Sequence, residues 1–250
     1  MTAQDSTSAP LVVVSVAAPE DADDPALQER RNDRYAASVE RHGARALRLS
    51  PRAEAAEREA AFAAMDGLLL TGGADLDPGL FGEAVDGAED LDPARDELEA
   101  VAWSAAASRA VPVLGICRGL QAINVFSGGS LLQHVDGHAG AAWGSGPALT
   151  HPIRLVDGTR LASLLGPGEE IEVNAYHHQG IRERDVAPGL RPSAWADSSA
   201  GPLVEGLEAG DGRFVVGVQC HPERTESTPE AFERLFAAFV EAARERSTAA

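Results

Sequence analysis

One cysteine of this chain stands where a strand is expected to turn sharply into a helix. Cys117 follows the apolar run Val113–Ile116, lies between Gly115 and Gly119, and precedes a stretch that can be helical. Small residues on both sides allow a tight change of direction, and such a turn pushes the middle side chain out of the backbone. A thiol presented in this way is a candidate nucleophile.

A second apolar run ends on two groups that could activate that thiol. The run Val215–Val218 is followed within five residues by His221 and Glu223. A thiol needs a base to become a thiolate, and an imidazole needs a carboxylate to hold its tautomer. Cys117, His221 and Glu223 supply these three groups in chain order.

Each group also has a simpler explanation when it is taken alone. A lone cysteine after an apolar strand is more often a small buried hydrophobe, and a lone His-Pro-Glu is more often a turn. The two runs, however, would both end at the carboxyl edge of a sheet, where open α/β folds keep their sites. Their conjunction therefore favours catalysis.

Bulk composition bounds the class of protein. The 250 residues, 44% of them hydrophobic, suffice for one large α/β domain. Lys and Arg number 21 against 39 Asp and Glu, and the formal charge of -18 argues against binding nucleic acid or anionic lipid. The two cysteines, Cys117 and Cys220, could in principle pair, but two do not make a disulfide scaffold.

Targeting and membrane signals are absent from the sequence pattern. The start of the chain is polar and lacks a basic segment, and no stretch approaches the roughly 18 apolar residues of a membrane span. We therefore expect a cytoplasmic protein that does not enter a membrane.

The first half of the chain alternates apolar runs with helical patterns. After a tail over residues 1–10 that we expect to be disordered, one domain should extend over residues 11–246. The predicted strands are Leu11–Val16, Ala46–Leu49, Gly67–Thr71 and Val111–Ile116. The predicted helices are Ala26–His42, Ala53–Met65, Arg95–Arg109 and Arg118–Phe126. This alternation predicts an α/β fold with a mostly parallel sheet.

The second half reads as short strand-like pieces closed by a helix. Asp211-Gly212 between two strand patterns is a strong hairpin signal. The predicted pieces are Ser130–Val135, Pro152–Val156, Glu170–Val173, Leu190–Trp195, Leu203–Leu207 and Arg213–Gln219, and the closing helix is Pro229–Arg246. Two irregular segments, 74–94 and 137–146, are the expected walls of the site.

Six separate motifs, in order along the chain, carry a family resemblance. They are Thr71-Gly-Gly-Ala-Asp-Leu-Asp-Pro78, Leu80-Phe-Gly-Glu83, Arg95-Asp-Glu-Leu-Glu99, Gly115-Ile-Cys-Arg-Gly-Leu-Gln-Ala-Ile-Asn124, Val173-Asn-Ala-Tyr-His-His-Gln179 and Gly217-Val-Gln-Cys-His-Pro-Glu223. The chain resembles the class I glutamine amidotransferase-like proteins of the peptidase C26 group, and within them the gamma-glutamyl-gamma-aminobutyrate hydrolases. The resemblance implies a three-layer, flavodoxin-like α/β fold with a small antiparallel extension.

The resemblance also implies an activity that needs no cofactor. Cys117 would attack the side-chain amide carbonyl of a gamma-glutamylated amine and form a gamma-glutamyl thioester, which water would hydrolyse to glutamate. His221 would act as base and then as acid, and Glu223 would orient it. The expected partner is this small molecule, and because similar proteins are commonly dimers, a homodimer is an open option.

Further site residues follow from the same resemblance. The oxyanion hole would use the backbone amides of Gly73 and Arg118. The Arg118 side chain could hold a substrate carboxylate or be a surface cation. The candidate substrate-binding residues are Gln121, His178, Gln179 and Asp75. Gln121 could equally be a polar residue on a solvated helix face, and Asp75 and the nearby Asp77 are either contacts for a substrate amine or turn residues.

No metal is predicted. Adjacent histidines on a strand point to opposite faces, so His177 and His178 could not easily share one ion, and no third ligand at a suitable spacing is evident. His177 would be structural. Two departures from the family pattern are Cys220, where an aromatic residue is common, and Ala175, where serine is common; Cys220 is expected to pack away from His221.

Two other functions compete with the hydrolase. One is a glutaminase subunit that passes ammonia to a synthase, which the absence of a fused synthase and the Arg118 and His-His-Gln elements disfavour. The other is an inactive binding protein on the same fold, which the presence of Cys117, His221 and Glu223 disfavours. The sequence does not name the leaving amine.

Overall fold

The computed structural model of the chain describes residues 9–140, 148–168 and 170–249. Residues 1–8 of the predicted tail and 141–147 of the glycine-rich segment lie outside the described residues. Pro10, assigned to the tail from sequence, is buried, and its carbonyl accepts a hydrogen bond from Arg45 N at 2.9 Å. The ordered domain therefore begins before residue 11.

Nine strands form one mixed sheet, with six helices around it in the described residues. The strands are β1 Leu11–Ser15, β2 Arg45–Leu49, β3 Gly67–Leu70, β4 Val113–Ile116, β5 Leu149–Leu155, β6 Glu170–Ala175, β7 Leu190–Ala196, β8 Leu203–Ala209 and β9 Val215–Val218. The helices are α1 Pro25–Glu40, α2 Ala55–Ala64, α3 Pro93–Ser108, α4 Arg118–Phe126, α5 Arg160–Leu165 and α6 Glu233–Ala249. The strand order is β2-β1-β3-β4-β9-β8-β7-β5-β6.

The parallel part of the sheet has the order of a doubly wound fold. Strands β2, β1, β3, β4 and β9 pair in parallel, with β4 bonded to β9 in the register Gly115 to Gly217. The site is expected at the carboxyl ends of such strands. The antiparallel part, β8, β7, β5 and β6, supplies four of the nine strands. The expectation of a small antiparallel extension was therefore too modest.

Helices cover both faces of the parallel strands. Along β1 the buried side chains alternate, so that Val12 and Val14 pack in one cluster with α1 and α6, and Val13 packs in the other with α2, α3 and α4. The period-two alternation of a strand places neighbouring side chains on opposite faces, and both faces are apolar here because both are covered. The three-layer arrangement follows directly.

Several predicted elements differ in detail. The piece 130–135 is not a strand but forms an isolated bridge between Leu132 and Gly180. Helix α5, Arg160–Leu165, was not predicted; Thr159 caps it by accepting a hydrogen bond from Ala162 N. Helix α3 begins at Pro93, two residues before the predicted start, because Asp92 caps it and proline suits its first turn.

Helix α4 lies unusually close to the sheet. A Cβ added to Gly119 would stand 2.0 Å from Leu70 O, and one on Gly115 would stand 2.5 Å from Gly119 O. A Cβ on Gly217 would approach Leu120 Cβ to 3.0 Å. The helix therefore packs against the strand backbones through glycines, which fixes its first residue beside the end of β4.

The described helices include none with the length and apolar character needed to cross a membrane.

Candidate active site

Cys117 occupies the turn between β4 and α4 in a strained backbone conformation. Its φ of 53° and ψ of -107° lie outside the regions that non-glycine residues favour. Its amide donates to Val218 O at 2.8 Å, and its carbonyl accepts from Leu120 N at 3.0 Å. The flanking elements thus hold the residue in a conformation of the kind that clusters at active sites.

This strain predicts an unusual response to substitution. The free energy of unfolding of Cys117→Gly should be about 1 kcal/mol larger than that of Cys117→Ala. Glycine adopts a positive φ without strain, and the strain that it relieves exceeds the additional backbone entropy that it loses on folding. Ala122→Gly, the same kind of change inside α4, should instead lower the free energy of unfolding by at least about 1 kcal/mol. Urea unfolding of the three variants measures this; Cys117→Gly being the less stable of the Cys117 pair would refute the strain.

His221 and Glu223 lie beside the thiol, just beyond the end of β9. His221 Nδ1 is 2.8 Å from Glu223 Oε1, and the ring also interacts with Cys117. Asn174 fixes the backbone of His221 from both sides, accepting from His221 N at 2.7 Å and donating to His221 O at 3.0 Å. The three residues singled out in the sequence therefore meet at one point.

The electrostatics of this group favour a charged imidazole. Burial lowers the pKa of His221, but Glu223 and Cys117 outweigh burial and raise the pKa to about 9. Burial likewise raises the pKa of Glu223, but His221 outweighs it and the pKa lies below its ordinary range. An imidazolium beside a thiol favours the thiolate, which is the competent nucleophile.

Tyr35 of α1 is a member of the site that the sequence patterns did not reveal. Its hydroxyl lies 3.3 Å from His221 Nδ1 and accepts a hydrogen bond from Gly72 N at 3.2 Å. Burial, aided by Glu223, raises the pKa of Tyr35 well above its ordinary value, so the hydroxyl stays neutral. The residue joins the histidine to the end of β3.

The two candidate oxyanion donors belong to neighbouring residues, since a Cβ on Gly73 would stand 3.7 Å from Arg118 Cδ. Gly72 N is taken by Tyr35, whereas the amides of Gly73 and Arg118 donate to no acceptor within the described part of the chain. A Cβ on Gly73 would stand 2.1 Å from Arg95 Nη1. The Gly73 position therefore requires glycine for close packing, and its amide is available to a ligand.

A buried ion network lies under this turn and corrects one expectation. The Arg118 side chain is 1% exposed and pairs with Glu99 and with Asp96, so it neither reaches a substrate nor lies on the surface. Arg95, also buried, donates to Glu99 Oε1 at 2.9 Å and to Gly72 O at 3.0 Å. The Arg95-Asp-Glu-Leu-Glu99 motif thus supports the Gly72–Gly73 turn and anchors the residue after the nucleophile.

Gln121 and Gln179 lie beneath the nucleophile rather than on its open side. Both are almost fully buried, and Gln121 Nε2 is 3.4 Å from Gln179 O and 3.3 Å from Gln219 Oε1. Gln219 Nε2 in turn is 3.4 Å from Cys117 Sγ. Both side chains therefore pack close to Cys117, and neither is among the residues that line the cleft described below.

Asp75 and His178 bind each other. Asp75 Oδ2 is 2.9 Å from His178 Nε2 and accepts from Glu89 N at 2.7 Å. Asp77 accepts from Gly79 N and caps a short 3-10 turn, as a turn residue does. None of the three lines the cleft. The Asp75–His178 pair thus ties the 74–94 segment to the loop after β6.

His177 turns the opposite way from His178 and belongs to a different group. Both histidines follow β6 in a loop, so the alternation of side chains along a strand, expected from the sequence, does not apply to them. Their side chains nevertheless have different partners. The His177 Nε2 atom is 3.8 Å from Glu205 Oε1, and its ring stands 5.1 Å from that of His138. Burial lowers the pKa of His177 to about 3. His177 therefore lies beside other side chains of the metal-ligating type, which come from distant parts of the sequence.

The two cysteines are free thiols. Cys220 is buried in the cluster between the sheet, α1 and α6, in agreement with the packing role expected for it, and burial raises its pKa well above the ordinary value. Ala175 is fully buried at the end of β6.

A cleft of about 1020 Å³ opens onto Cys117, His221 and Glu223. The expected walls contribute to it through residues 90–94, Ala74 and Gly140. The segment 17–35, which sequence reasoning did not assign, forms the facing wall. The charged residues lining the cleft are Asp21, Asp23, Asp90, Asp92, Arg31, Arg34, Arg52, Glu223 and Arg224. A ligand here meets both signs of charge.

The model of the Peptidase C26 family matches residues 10–223. The chain belongs to the peptidase C26 family. This confirms the resemblance inferred from the motifs.

Two relatives of this peptidase C26 chain carry informative names. A Mycobacterium tuberculosis protein named "putative glutamine amidotransferase" is 42% identical over 180 residues, 70% of this chain and 55% of that protein. The chain therefore spans little more than half the length of that relative. The Escherichia coli gamma-glutamyl-gamma-aminobutyrate hydrolase PuuD is 34% identical over 190 residues, 71% of this chain and 72% of that one.

The fold of this peptidase C26 member is also that of a solved glutaminase domain. The glutaminase domain of Trypanosoma brucei CTPS, solved with bound acivicin, superimposes with a TM-score of 0.64 over 94% of each chain at 18% identity. The α/β fold with a core of parallel strands is thereby confirmed.

Proposed function

We propose that the protein hydrolyses the gamma-glutamyl amide bond of a gamma-glutamylated amine, with Cys117 as nucleophile. The observation that carries this proposal is the meeting of Cys117, in its strained turn, with the His221–Glu223 pair at the open cleft. Membership of the peptidase C26 family and the 34% identity to a gamma-glutamyl-gamma-aminobutyrate hydrolase support the substrate class.

The reaction divides into two steps of acyl transfer. The Cys117 thiolate attacks the side-chain amide carbon, and the amides of Gly73 and Arg118 stabilise the resulting oxyanion. The carbon–nitrogen bond breaks as His221 gives its proton to the leaving amine, which leaves a gamma-glutamyl thioester. Water then attacks the thioester while His221 takes its proton, and glutamate departs as the thiolate is restored.

The cleft chemistry suits the glutamyl half of such a substrate. That half carries a carboxylate and an ammonium on one carbon, and the cleft presents guanidinium and carboxylate groups close to Cys117. Arg31 belongs to α1 and Arg224 follows Glu223, whereas Asp90 and Asp92 belong to the 74–94 segment. We assign binding of the carboxylate to the arginine side of the cleft, in place of Arg118.

A glutaminase that delivers ammonia to a synthase is the second candidate. The name of the mycobacterial relative favours it. Both candidates use the same thioester, and they differ in whether free glutamine or a larger amide is the better substrate. An inactive binding protein is disfavoured, since the three reactive groups are assembled and not merely retained.

Glutamate release from a panel of amides tests the proposal. The panel contains gamma-glutamyl-gamma-aminobutyrate, gamma-glutamyl polyamines, folate polyglutamate and glutamine. Turnover of a gamma-glutamyl amine in preference to glutamine supports the hydrolase. Turnover of glutamine alone, rising when a synthase partner is added, would establish the second candidate, and silence on every substrate would exclude both.

The pH dependence should report the His221–Glu223 pair. With the pKa of His221 raised to about 9, kcat/KM should fall above about pH 9 as the imidazolium loses the proton that the leaving amine needs. Glu223→Gln removes the carboxylate that opposes burial, so this limb should move down toward the ordinary histidine pKa of about 6.5. A pH profile with an unmoved limb in Glu223→Gln would contradict the assignment.

The raised pKa of His221 also makes the stability of the fold depend on pH. Because the folded pKa of His221 exceeds the unfolded value, its contribution to stability is full below about pH 6.5 and is lost as the pH rises through about 9.

A further inference from the structure

Four side chains, three of them buried and that of His151 15% exposed, meet between the antiparallel strands and the segment that follows α4. His138 comes from that segment, His151 from β5, His177 from the loop after β6, and Glu205 from β8. One ligand-type atom from each lies within 4.8 Å of the others. These residues are far apart in the sequence, so only the fold brings them together.

The atoms that face one another in this group lack protein partners. His138 Nδ1, His151 Nε2, His177 Nε2 and both carboxylate oxygens of Glu205 are buried and make no hydrogen bond in the described structure. The side chains of His177 and Glu205 are 2% and 1% exposed. Buried polar atoms are normally paired, and five orphans converging on one point require an explanation.

The other nitrogen of each ring is already committed to the backbone. His177 Nδ1 donates to Gln179 O at 2.9 Å, His151 Nδ1 lies 3.3 Å from Pro152 O, and the His138 ring is bonded to the backbone of Asp197. A proton held on that nitrogen leaves the lone pair on the nitrogen that faces the group. Metal-bound histidines are oriented in this way by their second nitrogen.

Direct hydrogen bonds among the four do not account for the arrangement. His177 Nε2 and His151 Nε2 stand 3.8 and 3.9 Å from the Glu205 oxygens, beyond hydrogen-bond length. Ligand atoms about 2.0–2.2 Å from a tetrahedral ion lie roughly 3.4 Å from each other, which is close to these separations.

We propose that His138, His151, His177 and Glu205 bind a divalent transition-metal ion, with Zn²⁺ the preferred occupant. Three imidazoles and one carboxylate are a donor set suited to zinc, and four protein ligands complete a tetrahedral shell. Because the group is buried and all four positions come from the protein, the ion stabilises the fold and does not activate water. It lies outside the Cys117 cleft and goes beyond the proposed hydrolysis.

The ion would brace one wall of the cleft. His177 follows Tyr176, whose ring meets that of His221 edge-on with centroids 5.6 Å apart. His138 lies two residues before Gly140, which also lines the cleft. A metal joining both segments to β5 and β8 holds Tyr176 and Gly140 in place.

Metal analysis of the purified full-length protein tests the proposal. After growth with zinc and removal of free metal, mass spectrometry should find about one zinc ion per chain. His177→Ala and Glu205→Leu should lose it, whereas His42→Ala should keep it, because His42 pairs with Glu233 at the surface without other histidines. Retention of the ion by both cluster variants would overturn the proposal.

A second measurement uses the unmodified sequence and so does not depend on the variants folding. Chelation should lower the Tm by about 5–10 °C, and added Zn²⁺ should restore it. Reconstitution with Co²⁺ should give the intense visible absorption of a tetrahedral site without the thiolate charge-transfer bands that Cys117 or Cys220 would add. Absence of metal both as purified and after incubation with Zn²⁺ or Co²⁺, or a cobalt spectrum with thiolate bands, would show that the cluster is not a metal site.

Discussion

Cys117→Ala is expected to lower kcat for gamma-glutamyl amide hydrolysis by at least about 10⁴-fold. Without the thiol no thioester forms, and the proposed oxyanion donors, the amides of Gly73 and Arg118, cannot replace the missing nucleophile. The fold should survive, since the backbone of the turn is held by Val218 and Leu120 and not by the sulfur. Initial rates of glutamate release, with circular dichroism as a check, measure both statements.

The second cysteine provides a matched control. Cys220 is also buried and lies one residue before His221, but it packs in the apolar cluster and burial raises the pKa of its thiol well above the ordinary value. Cys220→Ala should therefore retain activity, and iodoacetamide should label Cys117 in the native protein before it labels Cys220. Full activity in Cys117→Ala, or its loss in Cys220→Ala alone, would place the nucleophile elsewhere.

Glu99→Ala should cost about 3–5 kcal/mol of unfolding free energy, the largest stability loss we expect from one substitution. Glu99 is the carboxylate shared by two buried guanidiniums, those of Arg95 and Arg118. Burial raises the pKa of Glu99, but the two guanidiniums outweigh burial and hold the pKa below its ordinary range. Removal leaves both cations buried with only Asp96 nearby. The hydrogen bonds from Arg95 to Thr71 O and Gly72 O would then lose their support.

An exposed ion pair shows the contrast. Asp197 pairs bidentately with Arg154, with side chains 76% and 47% exposed, and Asp197→Ala should change stability by no more than about 1 kcal/mol. Chemical denaturation of the two variants and the parent decides the matter. Equal losses at Glu99 and Asp197 would mean that the buried network contributes no more than a surface pair.

The sequence predicts Cys117, His221 and Glu223 as a group because the motifs that carry them are local. A glycine-flanked cysteine after an apolar strand and a histidine after another are visible in nine-residue windows, and the parallel core places both strand ends at one edge. The apolar runs likewise predicted the strands around them to within a few residues. The turn at Gly72–Gly73 was predicted for the same reason, because two adjacent glycines follow the strand directly.

What escaped prediction depends on contacts between distant segments. Tyr35 and Asn174 reach His221 across 186 and 47 residues, and no local pattern marks either. The direction of the Arg118 side chain was misjudged because its partners, Asp96 and Glu99, lie on a different helix. The histidine and glutamate group was missed because residues from two strands and two loops, far apart in the chain, have no characteristic spacing.

The glycine contacts under α4 divide the enzyme into a part that tolerates change and a part that does not. At Gly115 and Gly119 the helix and sheet backbones are so close that even a methyl group would displace them. Laboratory evolution toward a different amine should therefore accumulate substitutions in residues 17–34 and 90–94, which contribute to the cleft from loops and from the helices α1 and α3. Libraries confined to those two stretches should yield variants with altered amine preference. Libraries at Gly115 and Gly119, where α4 packs against the sheet, should yield insoluble protein.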